Sequence, residues 1–412
     1  METLDNGKLI VFGEFEEDTL KQIRNCMSHE SVVFAVLSAD NHLGWGIPVG
    51  GTIAYKDHVS PMGIGFDIGC GNMAVRTPIL YSDIKNDISK IMDEVWKSIS
   101  FGLGRNNPKP IDHSIFDDQT WKDIPQIGKL KEKARNQLGT VGSGNHFVDI
   151  LVELQTEKIW IANHFGSRGL GHSIASGFLN LIDGLDFDNK KRSENAMDTP
   201  AVLNIYSELG MDYWQAIKLA GEYAYAGRDY VIQQVLNILK TYTEFEVHNN
   251  HNDAWEENHF GEDLIVVRKG ATPAFQGQYG FVGGNMCDTS FIIRGVETPE
   301  NRQSLSTTVH GAGRIMSRMK AKGKWKHIKN EETGKKELVQ IREGLVSKEM
   351  MNKAVKDAGI ELRGGGLDET PFCYKKLRDV LNAHANTIEI CNELKPIGVA
   401  MASELEQDPY KD

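Results

Sequence analysis

The chain has 412 residues, of which 40% are hydrophobic and 25% charged, and this balance excludes a collagen-like, coiled-coil or largely disordered protein. Lys and Arg number 46 against 57 Asp and Glu, and the formal net charge of −11 argues against a uniformly basic coat for nucleic acid. A local basic groove stays compatible with that total, because salt screens charge over about 10 Å.

Hydrophobic periodicity predicts short strands mixed with helices. In chain order we expect a strand at 8–12, a helix at 17–27, a strand at 32–37, helices at 82–100 and 129–137, strands at 147–154 and 158–162, a long helix at 213–240, strands at 264–268 and 291–294, and a closing helix at 374–394. Glycines concentrate in 42–76, and 320–336 is a strongly polar, basic insertion. Since no repeat or linker divides the chain, we expect one α+β domain over residues 1–412.

The five cysteines are few, odd in number and widely spaced, which indicates reduced thiols and not a disulfide framework. The first residues lack the basic and apolar regions of a signal peptide. The longest apolar runs, such as 32–37, are far shorter than a membrane span. These features predict a cytoplasmic protein that does not associate with membranes.

Several motifs place Asp, Cys and His beside glycine turns or at the ends of predicted strands. The residues concerned are Asp67, Cys70, His146, His164, His251 and His310. One Asp, one Cys and several His form the ligand set expected for a divalent ion such as Mn²⁺, Zn²⁺ or Co²⁺. Each His alone is more often structural, and it is the grouping that favours a metal site. The spacing leaves open whether one ion or two are bound, but the lack of any CxxC pair excludes a zinc ribbon.

Two further segments have features that suit phosphate binding. The motif at 310–314 (HGAGR) offers backbone N–H groups and a guanidinium fork, and 268–272 (RKGAT) offers two adjacent cations and a turn. Neither a GxxxxGK[ST] motif nor a GxSxG motif occurs, which argues against a P-loop nucleotidase and an α/β-hydrolase.

In this order, the motifs resemble those of the RtcB family of GTP-dependent RNA ligases. The most specific blocks are 65–71 (GFDIGCG), 142–147 (GSGNHF), 166–169 (GSRG), 268–272 and 310–314, and the resemblance extends from 40 to 396. It implies a single RtcB-like domain of short strands and helices around a dinuclear metal pocket. It also implies an enzyme that joins an RNA 3′-phosphate or 2′,3′-cyclic phosphate end to a 5′-hydroxyl end, with Mn²⁺ and GTP, through a GMP–histidine intermediate, in RNA repair or tRNA splicing.

The resemblance implies a role for each motif residue. Cys70 would be shared by two Mn²⁺ ions, Asp67 and His146 would complete the shell of one, and His164 and His251 that of the other. His310 would be the nucleophile that attacks the α-phosphate of GTP. Arg168 and Arg314 would bind RNA or nucleotide phosphate. The residues expected around GTP are Asn145, His146, Phe147, Asp149, His251, Asn252, Gly283, Gly284, Asn285, Met286, Ser290, His310, Gly311, Ala312, Gly313, Tyr374 and Met401.

Two positions depart from the family pattern. Asp149 stands where the family usually has Glu, and Met401 stands where it commonly has a lysine that contacts guanine. A lost polar contact costs of order 1–3 kcal/mol, so the sequence leaves guanine selectivity open. His248 is a second candidate for the role of His251, but the family block HN-x-A matches 251–254 and favours His251.

The basic residues after the nucleophile motif allow two interpretations. They are Arg314, Arg318, Lys320, Lys322, Lys324, Lys326 and Lys329, with Trp325 among them. They form either a path for an RNA end or a solvated surface loop. Two other functions also stay open: a nucleotidyltransferase that caps RNA 3′-phosphate ends without sealing them, and an RNA-binding homologue that does not ligate. The resemblance suggests a monomer and, by analogy, an archease-like activator; the physiological RNA stays open.

Overall fold

Strands and helices alternate along the chain in the computed structural model, which describes residues 1–189, 201–329 and 336–403. Within these ranges the strands are β1 (Glu2–Leu4), β2 (Leu9–Val11), β3 (Val32–His42), β4 (Val49–Tyr55), β5 (His58–Val59), β6 (Gly71–Leu80), β7 (Phe147–Glu153), β8 (Lys158–Phe165), β9 (Leu203–Asn204), β10 (Phe245–Asn250), β11 (Asn252–His259), β12 (Glu262–Lys269), β13 (Ala271–Pro273), β14 (Tyr279–Val282), β15 (Ser290–Gly295), β16 (Thr307–Val309), β17 (Lys324–Lys329), β18 (Lys336–Arg342), β19 (Glu361–Gly365) and β20 (Ile388–Ser403). The α-helices in the same ranges are α1 (Glu17–Cys26), α2 (Pro61–Ile64), α3 (Tyr81–Ile84), α4 (Ile88–Ser98), α5 (Thr120–Asp123), α6 (Pro125–Gly128), α7 (Lys131–Gln137), α8 (Arg168–Ile182), α9 (Glu208–Leu239), α10 (Pro299–Gln303), α11 (Arg318–Lys322), α12 (Lys348–Ala358) and α13 (Leu377–Asn382). The α+β class predicted from the sequence is confirmed.

Two large sheets contain most of these strands. One has the order β1-β2-β3-β4-β12-β11, and the other has the order β10-β6-β8-β7-β20-β15-β14, with β19 beside β20. Pairing is antiparallel except between β2 and β3 and between β19 and β20, among the strands the structure describes in these sheets. In an antiparallel pair one strand begins where its neighbour ends, so loops that are distant in sequence come together at one end of the strands.

One edge of the larger sheet collects four predicted metal ligands. At this edge Asn250 pairs with Gly71, Gly71 with Phe165, and His164 with Phe147. The four ligands lie in or next to these pairs: His251 follows β10, Cys70 precedes β6, His164 is near the end of β8, and His146 precedes β7. The strand order alone therefore aligns these four residues side by side.

The long helix α9 packs against both sheets. Its hydroxyl cap is Ser207, which accepts a hydrogen bond from the backbone N–H of Gly210, and it ends where Lys240 adopts a left-handed conformation. Tyr213 and Ile217 belong to the core beside the six-stranded sheet, and Val231 belongs to the core beside the larger sheet. The predicted helix at 213–240 is confirmed and begins five residues earlier.

The predicted closing helix at 374–394 is wrong. The helix in this segment is α13, which covers Leu377–Asn382, and β20 follows from Ile388. Residues 396–402 of this strand are buried, and it pairs with β7 and β15, which lie far away in sequence, as well as with β19. Burial among these strands therefore outweighs local helix propensity.

Two other predicted segments differ in detail. The helix at 82–100 is broken into α3 and α4, because Asp87 at the start of α4 has non-helical dihedral angles. The polar insertion at 320–336 contains the end of α11 and strand β17, which pairs with β18 as a hairpin; residues 330–335 of that insertion lie outside the described residues. In the described part of the chain, helices are too short or too polar to cross a bilayer.

We expect Ile161→Ala to lower the free energy of unfolding by about 2–5 kcal/mol, because Ile161 is fully buried on the central strand β8 and the shorter side chain leaves a cavity. Leu154→Ala is the control, since Leu154 is 52% exposed and its truncation removes little packing. Urea denaturation followed by circular dichroism measures both. Equal midpoints for the two variants would contradict this assignment of the core.

Candidate active site

A cavity lies at the strand ends of the larger sheet where the four predicted metal ligands meet. Its volume of about 900 Å³ is within the range of about 300–1,000 Å³ typical of ligand pockets. We call it the central cavity. The predicted site residues that line it are Asp67, Cys70, Asn145, His146, Phe147, Asp149, His164, Arg168, His251, Asn252, Gly283, Gly284, Asn285, Met286, His310, Gly311, Ala312, Gly313, Arg314, Tyr374 and Met401. Ser290 does not line it; its buried hydroxyl accepts a hydrogen bond of 2.9 Å from the backbone N–H of Gly284 and so holds the neighbouring loop.

Cys70, His146 and His164 form a buried cluster, the Cys–His cluster, at the floor of the cavity. The Cys70 sulfur lies 3.8 Å from Nε2 of His146 and 3.4 Å from Nε2 of His164. A turn in which Cys70 N–H donates to the Asp67 carbonyl brings Asp67 to the same place, with Oδ2 3.0 Å from Nε2 of His146. The His251 ring centroid lies 5.0 Å from that of His164. All five predicted metal ligands are therefore neighbours.

The hydrogen bonds behind these imidazoles determine which nitrogens face the cluster. Nδ1 of His146 lies 2.9 Å from the Val141 carbonyl and 3.3 Å from Nη1 of Arg168, while its Nε2 lies near both Cys70 and Asp67. Nδ1 of His164 donates to Oδ1 of Asn72 at 2.7 Å, and the amide of Asn72 is oriented by its donation to the Phe281 carbonyl. Nε2 of His164 therefore presents its lone pair to the Cys70 sulfur.

Lone pairs that converge in a buried site repel each other unless a cation or a proton lies between them. Nδ1 of His251 is also buried here and has no hydrogen-bond partner among the described residues, and Oδ2 of Asp67 lies 3.0 Å from Nε2 of His146. Thiolate, imidazole and carboxylate are the donors that suit a borderline divalent ion. The residues present therefore fit a metal ion.

Protonation in this cluster suits the binding of a cation. Burial, with the neighbouring imidazoles, lowers the pKa values of His164 and His251 well below their ordinary value, so both rings are neutral ligands. Burial and the charge of Asp67 raise the pKa of the Cys70 thiol well above its ordinary value. A divalent cation bound to Cys70 would displace that proton.

His310 is oriented by Asp40, a residue outside the predicted set. Oδ2 of Asp40 lies 2.7 Å from Nδ1 of His310 and accepts from the backbone N–H groups of His310 and Gly311 at 3.0 and 3.3 Å. Burial acts to raise the pKa of the Asp40 carboxyl, but the charge and hydrogen bonds of His310 outweigh it and lower the pKa below its ordinary value. Asp40 is therefore ionised and accepts the hydrogen bond from Nδ1–H of His310, which leaves Nε2 as the nitrogen that can act as a nucleophile.

Glycines in the two phosphate-type motifs make room for this pair. Gly313 has a φ of +73°, and a side chain there would place Cβ 2.4 Å from the Asp40 carbonyl oxygen. A Cβ on Gly270 would lie 3.1 Å from Cε1 of His310. The His251 and His310 ring centroids are 4.9 Å apart, so the oriented imidazole lies directly beside the metal ligands.

The sequence matches the family model described as tRNA-splicing ligase RtcB over residues 22–129 and 120–402. The chain belongs to the RtcB family. It is 29% identical to the RNA-splicing ligase RtcB of Escherichia coli K12 over 387 residues, which cover 87% of each chain. It is 27% identical to the tRNA-splicing ligase RtcB of Methanococcus maripaludis over 467 residues, covering 95% of this chain and 92% of the relative. The corresponding ligase of Archaeoglobus fulgidus is 28% identical over 464 residues, covering 93% and 91%.

The two predicted phosphate-binding arginines of this RtcB-family chain differ in how they are held. The Arg168 guanidinium occupies the space in which a Gly142 side chain would stand, with Nη2 only 1.8 Å from the position of the missing Cβ. Arg314 donates to the Met316 and Asp368 carbonyls and to the Tyr374 hydroxyl, at 3.1, 2.8 and 3.0 Å. Three of the five N–H groups of Arg314 therefore bind the protein itself.

A buried pair of carboxylates, Asp368 and Glu369, neutralises part of the basic segment. Arg318 binds both carboxylates, and Lys322 lies 3.5 Å from Oδ2 of Asp368. The Tyr374 hydroxyl donates to Glu369, and the Arg314 guanidinium lies 5.0 Å from the centroid of its ring. Tyr374 directly follows a short 3₁₀ turn, whereas the sequence predicts that it lies on a helix. Of the cations in this segment, those nearest the cavity are thus held by protein groups.

Around Asp149 the cavity is lined by Phe147, Val399 and Met401. Cross-strand pairing places Met401 beside Phe147 and, two residues along the strand, Val399 beside Asp149. Burial raises the pKa of Asp149 well above its ordinary value, and its Oδ1 has no hydrogen-bond partner among the described residues. A neutral Asp149 offers one donor and one acceptor to a ligand.

The remaining histidines divide between structural and cavity positions. His248 accepts a hydrogen bond of 2.9 Å from Nε of Arg228 and does not line the cavity, so His251, as predicted, is the member of this pair beside the cluster. His42 lines the cavity, and burial lowers its pKa to about 4. His384 is fully buried against Phe12, and its Nε2 accepts from the backbone N–H of Ala39, next to Asp40.

We expect His384→Gln to reduce the loss of stability at acid pH. Burial lowers the pKa of His384 to about 4 in the folded chain, whereas the unfolded chain binds this proton near pH 6.5, so stability is lost as pH falls from about 6.5 to about 4. One such group contributes a slope of up to about 1.4 kcal/mol per pH unit. Urea denaturation at pH 7.5, 6 and 5 should give the variant a shallower slope; an unchanged slope would refute the assignment.

Proposed function

We propose that this chain is an RNA ligase that joins RNA 3′-phosphate or 2′,3′-cyclic phosphate ends to 5′-hydroxyl ends, using GTP and two Mn²⁺ ions, in RNA repair or tRNA splicing. The observation that carries the proposal is the Asp40–His310 pair, in which Asp40 binds Nδ1 and leaves Nε2 of His310 as the nucleophilic nitrogen in the same cavity as the Cys–His cluster. A nucleophilic imidazole beside a metal site suits nucleotidyl transfer from a triphosphate. Membership of the RtcB family supports the same reaction class.

In the proposed reaction, Nε2 of His310 forms a bond to the α-phosphorus of GTP, and the bond to the β-phosphate oxygen breaks to release pyrophosphate. The GMP then passes to an RNA 3′-phosphate oxygen, which frees His310. The 5′-hydroxyl oxygen of the second RNA end attacks the activated phosphorus, and GMP leaves. A 2′,3′-cyclic phosphate is first opened by water.

The chain's own residues have distinct tasks in this scheme. Asp40 accepts a hydrogen bond from Nδ1–H of His310 and stabilises the positive charge that the ring gains on bonding to phosphorus. Arg168 offers a cation to the RNA phosphate.

The metal ions would be held by Asp67, Cys70 and His146 on one side and by Cys70, His164 and His251 on the other. Bound there, they would supply the positive charge that offsets the reacting phosphates.

The residues expected around the base are compatible with either purine. A neutral carboxyl at Asp149 can pair with guanine through O6 and N1–H, and with adenine through N1 and an N6–H. Met401 has no donor for a purine oxygen. We propose GTP as the nucleotide because of the family resemblance, and ATP is therefore a necessary comparison.

The first test incubates the protein with Mn²⁺ and α-³²P-labelled GTP or ATP and measures covalent label on the chain. We expect label from GTP, none in His310→Ala, and a reduction of at least about 10-fold in the rate with Asp40→Asn, which keeps the shape but loses the charge that orients the ring. Label that persists in His310→Ala would exclude this nucleophile. Label from ATP instead of GTP would move the base preference to adenine.

A second assay separates a ligase from an enzyme that only caps RNA 3′-phosphate ends. An RNA 3′-phosphate and an RNA 5′-hydroxyl strand should yield a joined product. Accumulation of the guanylylated RNA end without a new internal linkage would support the capping nucleotidyltransferase, and absence of both products would support a non-ligating RNA-binding homologue.

The basic segment provides a further test of RNA binding. Lys320 and Lys324 are exposed, whereas Arg318 and Lys322 are paired with Asp368 and Glu369. If RNA follows this edge, changing both exposed lysines to Gln should weaken binding and lower the slope of log affinity against log salt by about 0.7 per lost phosphate contact. Lys85→Gln with Lys97→Gln, exposed on the α3–α4 side, is the control. An unchanged slope would exclude this path.

From the family resemblance alone, we infer that the protein works in the cytoplasm as a monomer, with an archease-like protein as its activator. Size-exclusion chromatography with light scattering, and ligation with and without such a protein, test these two points.

A further inference from the structure

One fully buried arginine contacts the three chain segments that carry Cys70, His164 and His251. Arg228, on α9, donates through Nη1 to the carbonyls of Gly69 and Phe165 at 2.8 and 2.7 Å. Its Nη2 donates to Oδ1 of Asn250. Gly69, Phe165 and Asn250 are each the direct chain neighbour of one of the three predicted ligands.

The backbone of the same residue adds a fourth link. The Arg228 carbonyl accepts a hydrogen bond of 2.9 Å from the side chain of Asn163, which precedes His164. The remaining nitrogen of the guanidinium, Nε, donates to His248, so each of its three nitrogens has a hydrogen-bond partner. A single side chain thus connects the end of β10, the start of β6 and the end of β8.

The charge of Arg228 is unusual because no carboxylate touches the guanidinium among the hydrogen bonds and ion pairs of the described residues. Its partners are two carbonyls, one amide and one neutral imidazole. A buried cation without a counter-ion is costly. The groups nearby that can become negative are Tyr225, Cys70, Asp229 and Asp67, and two of them, Cys70 and Asp67, belong to the metal site, so the cation is suited to a cavity that carries thiolate and carboxylate charge.

We propose that Arg228 is a positioning residue that holds the Cys70, His164 and His251 segments in the arrangement that binds one of the two metal ions. This inference rests on the proposed function, because that function supplies the two-ion assignment. His146, a ligand of the other ion alone, lies on a segment that Arg228 does not contact through any of these hydrogen bonds, whereas Asp67 shares the turn that contains Gly69 and Cys70. Loss of Arg228 should therefore weaken the ion held by Cys70, His164 and His251 more than the other.

A second buried arginine provides a matched comparison. Arg268 is also fully buried, and its guanidinium binds Glu257 through two nitrogens, the Thr307 hydroxyl and the Leu305 carbonyl. It has a carboxylate partner and does not line the cavity, and the residues that its side chain contacts are not chain neighbours of a predicted metal ligand. Replacing Arg268 should therefore destabilise the fold without a selective effect on metal binding.

The test titrates metal-free protein with MnCl₂ by isothermal calorimetry, and with CoCl₂ by absorbance, where the thiolate-to-cobalt band reports ligation by Cys70. The wild-type chain should bind two equivalents. Arg228→Lys keeps the charge but cannot reach all three segments, and we expect the affinity for one equivalent to fall by about 10–100-fold and that for the other to fall by less. Arg268→Lys should lower the thermal midpoint but leave both affinities within about 2-fold.

Two results would overturn the inference. One is an Arg228→Lys protein with unchanged affinities and cobalt spectrum, and the other is an Arg268→Lys protein with an equal loss of metal affinity. If Arg228→Lys does not fold, Asn250→Ser, which removes the amide acceptor but keeps the guanidinium, must still weaken one equivalent, and unchanged binding overturns the inference. A wild-type chain that binds neither Mn²⁺ nor Co²⁺ would refute the proposed metal site itself, which distinguishes the two failures.

Discussion

Convergence of lone pairs at a buried sheet edge is the constraint on which the rest of this site depends. The Cys70 sulfur lies within 3.8 Å of the Nε2 atoms of both His146 and His164. Each imidazole is prevented from turning away by a hydrogen bond on its other nitrogen. Such an arrangement is unfavourable without a cation or a proton. The surrounding structure must therefore hold the ligands in place, and its backbone hydrogen bonds do so.

The strand order provides much of that rigidity. Adjacent antiparallel strands deliver His251, Cys70, His164 and His146 to one edge, and α9 covers them from behind. A Cβ on Gly69 would lie 2.9 Å from that of Ala224, so the helix packs directly on the loop that carries Cys70. This close contact allows Arg228 to reach the backbone beside the cluster.

Charge is distributed unevenly in a chain whose net charge is −11. The buried cation of Arg228 lies beside the site inside the protein. Asp368 and Glu369 bind the arginine and lysine side chains closest to the cavity rim. The site thus combines an ionised Asp40, which holds His310, with a carboxyl at Asp149 whose pKa is raised by burial. Both aspartates are buried, and the contact of Asp40 with His310 separates their behaviour.

The sequence alone determined the ligand types and the motifs, because Asp67 and Cys70 share one turn and the glycines of the HGAGR and RKGAT motifs are local requirements for close backbone approach. It also determined the α+β class and the long helix α9, whose period is visible without any contact. Tertiary structure decided what depends on distant partners. Asp40 meets His310 across 270 residues, β20 is a strand because two distant strands enclose it, and Arg228 reaches three segments that are separate in sequence. Local periodicity carries no information on such pairings, since they are set by sheet register and by the packing of α9.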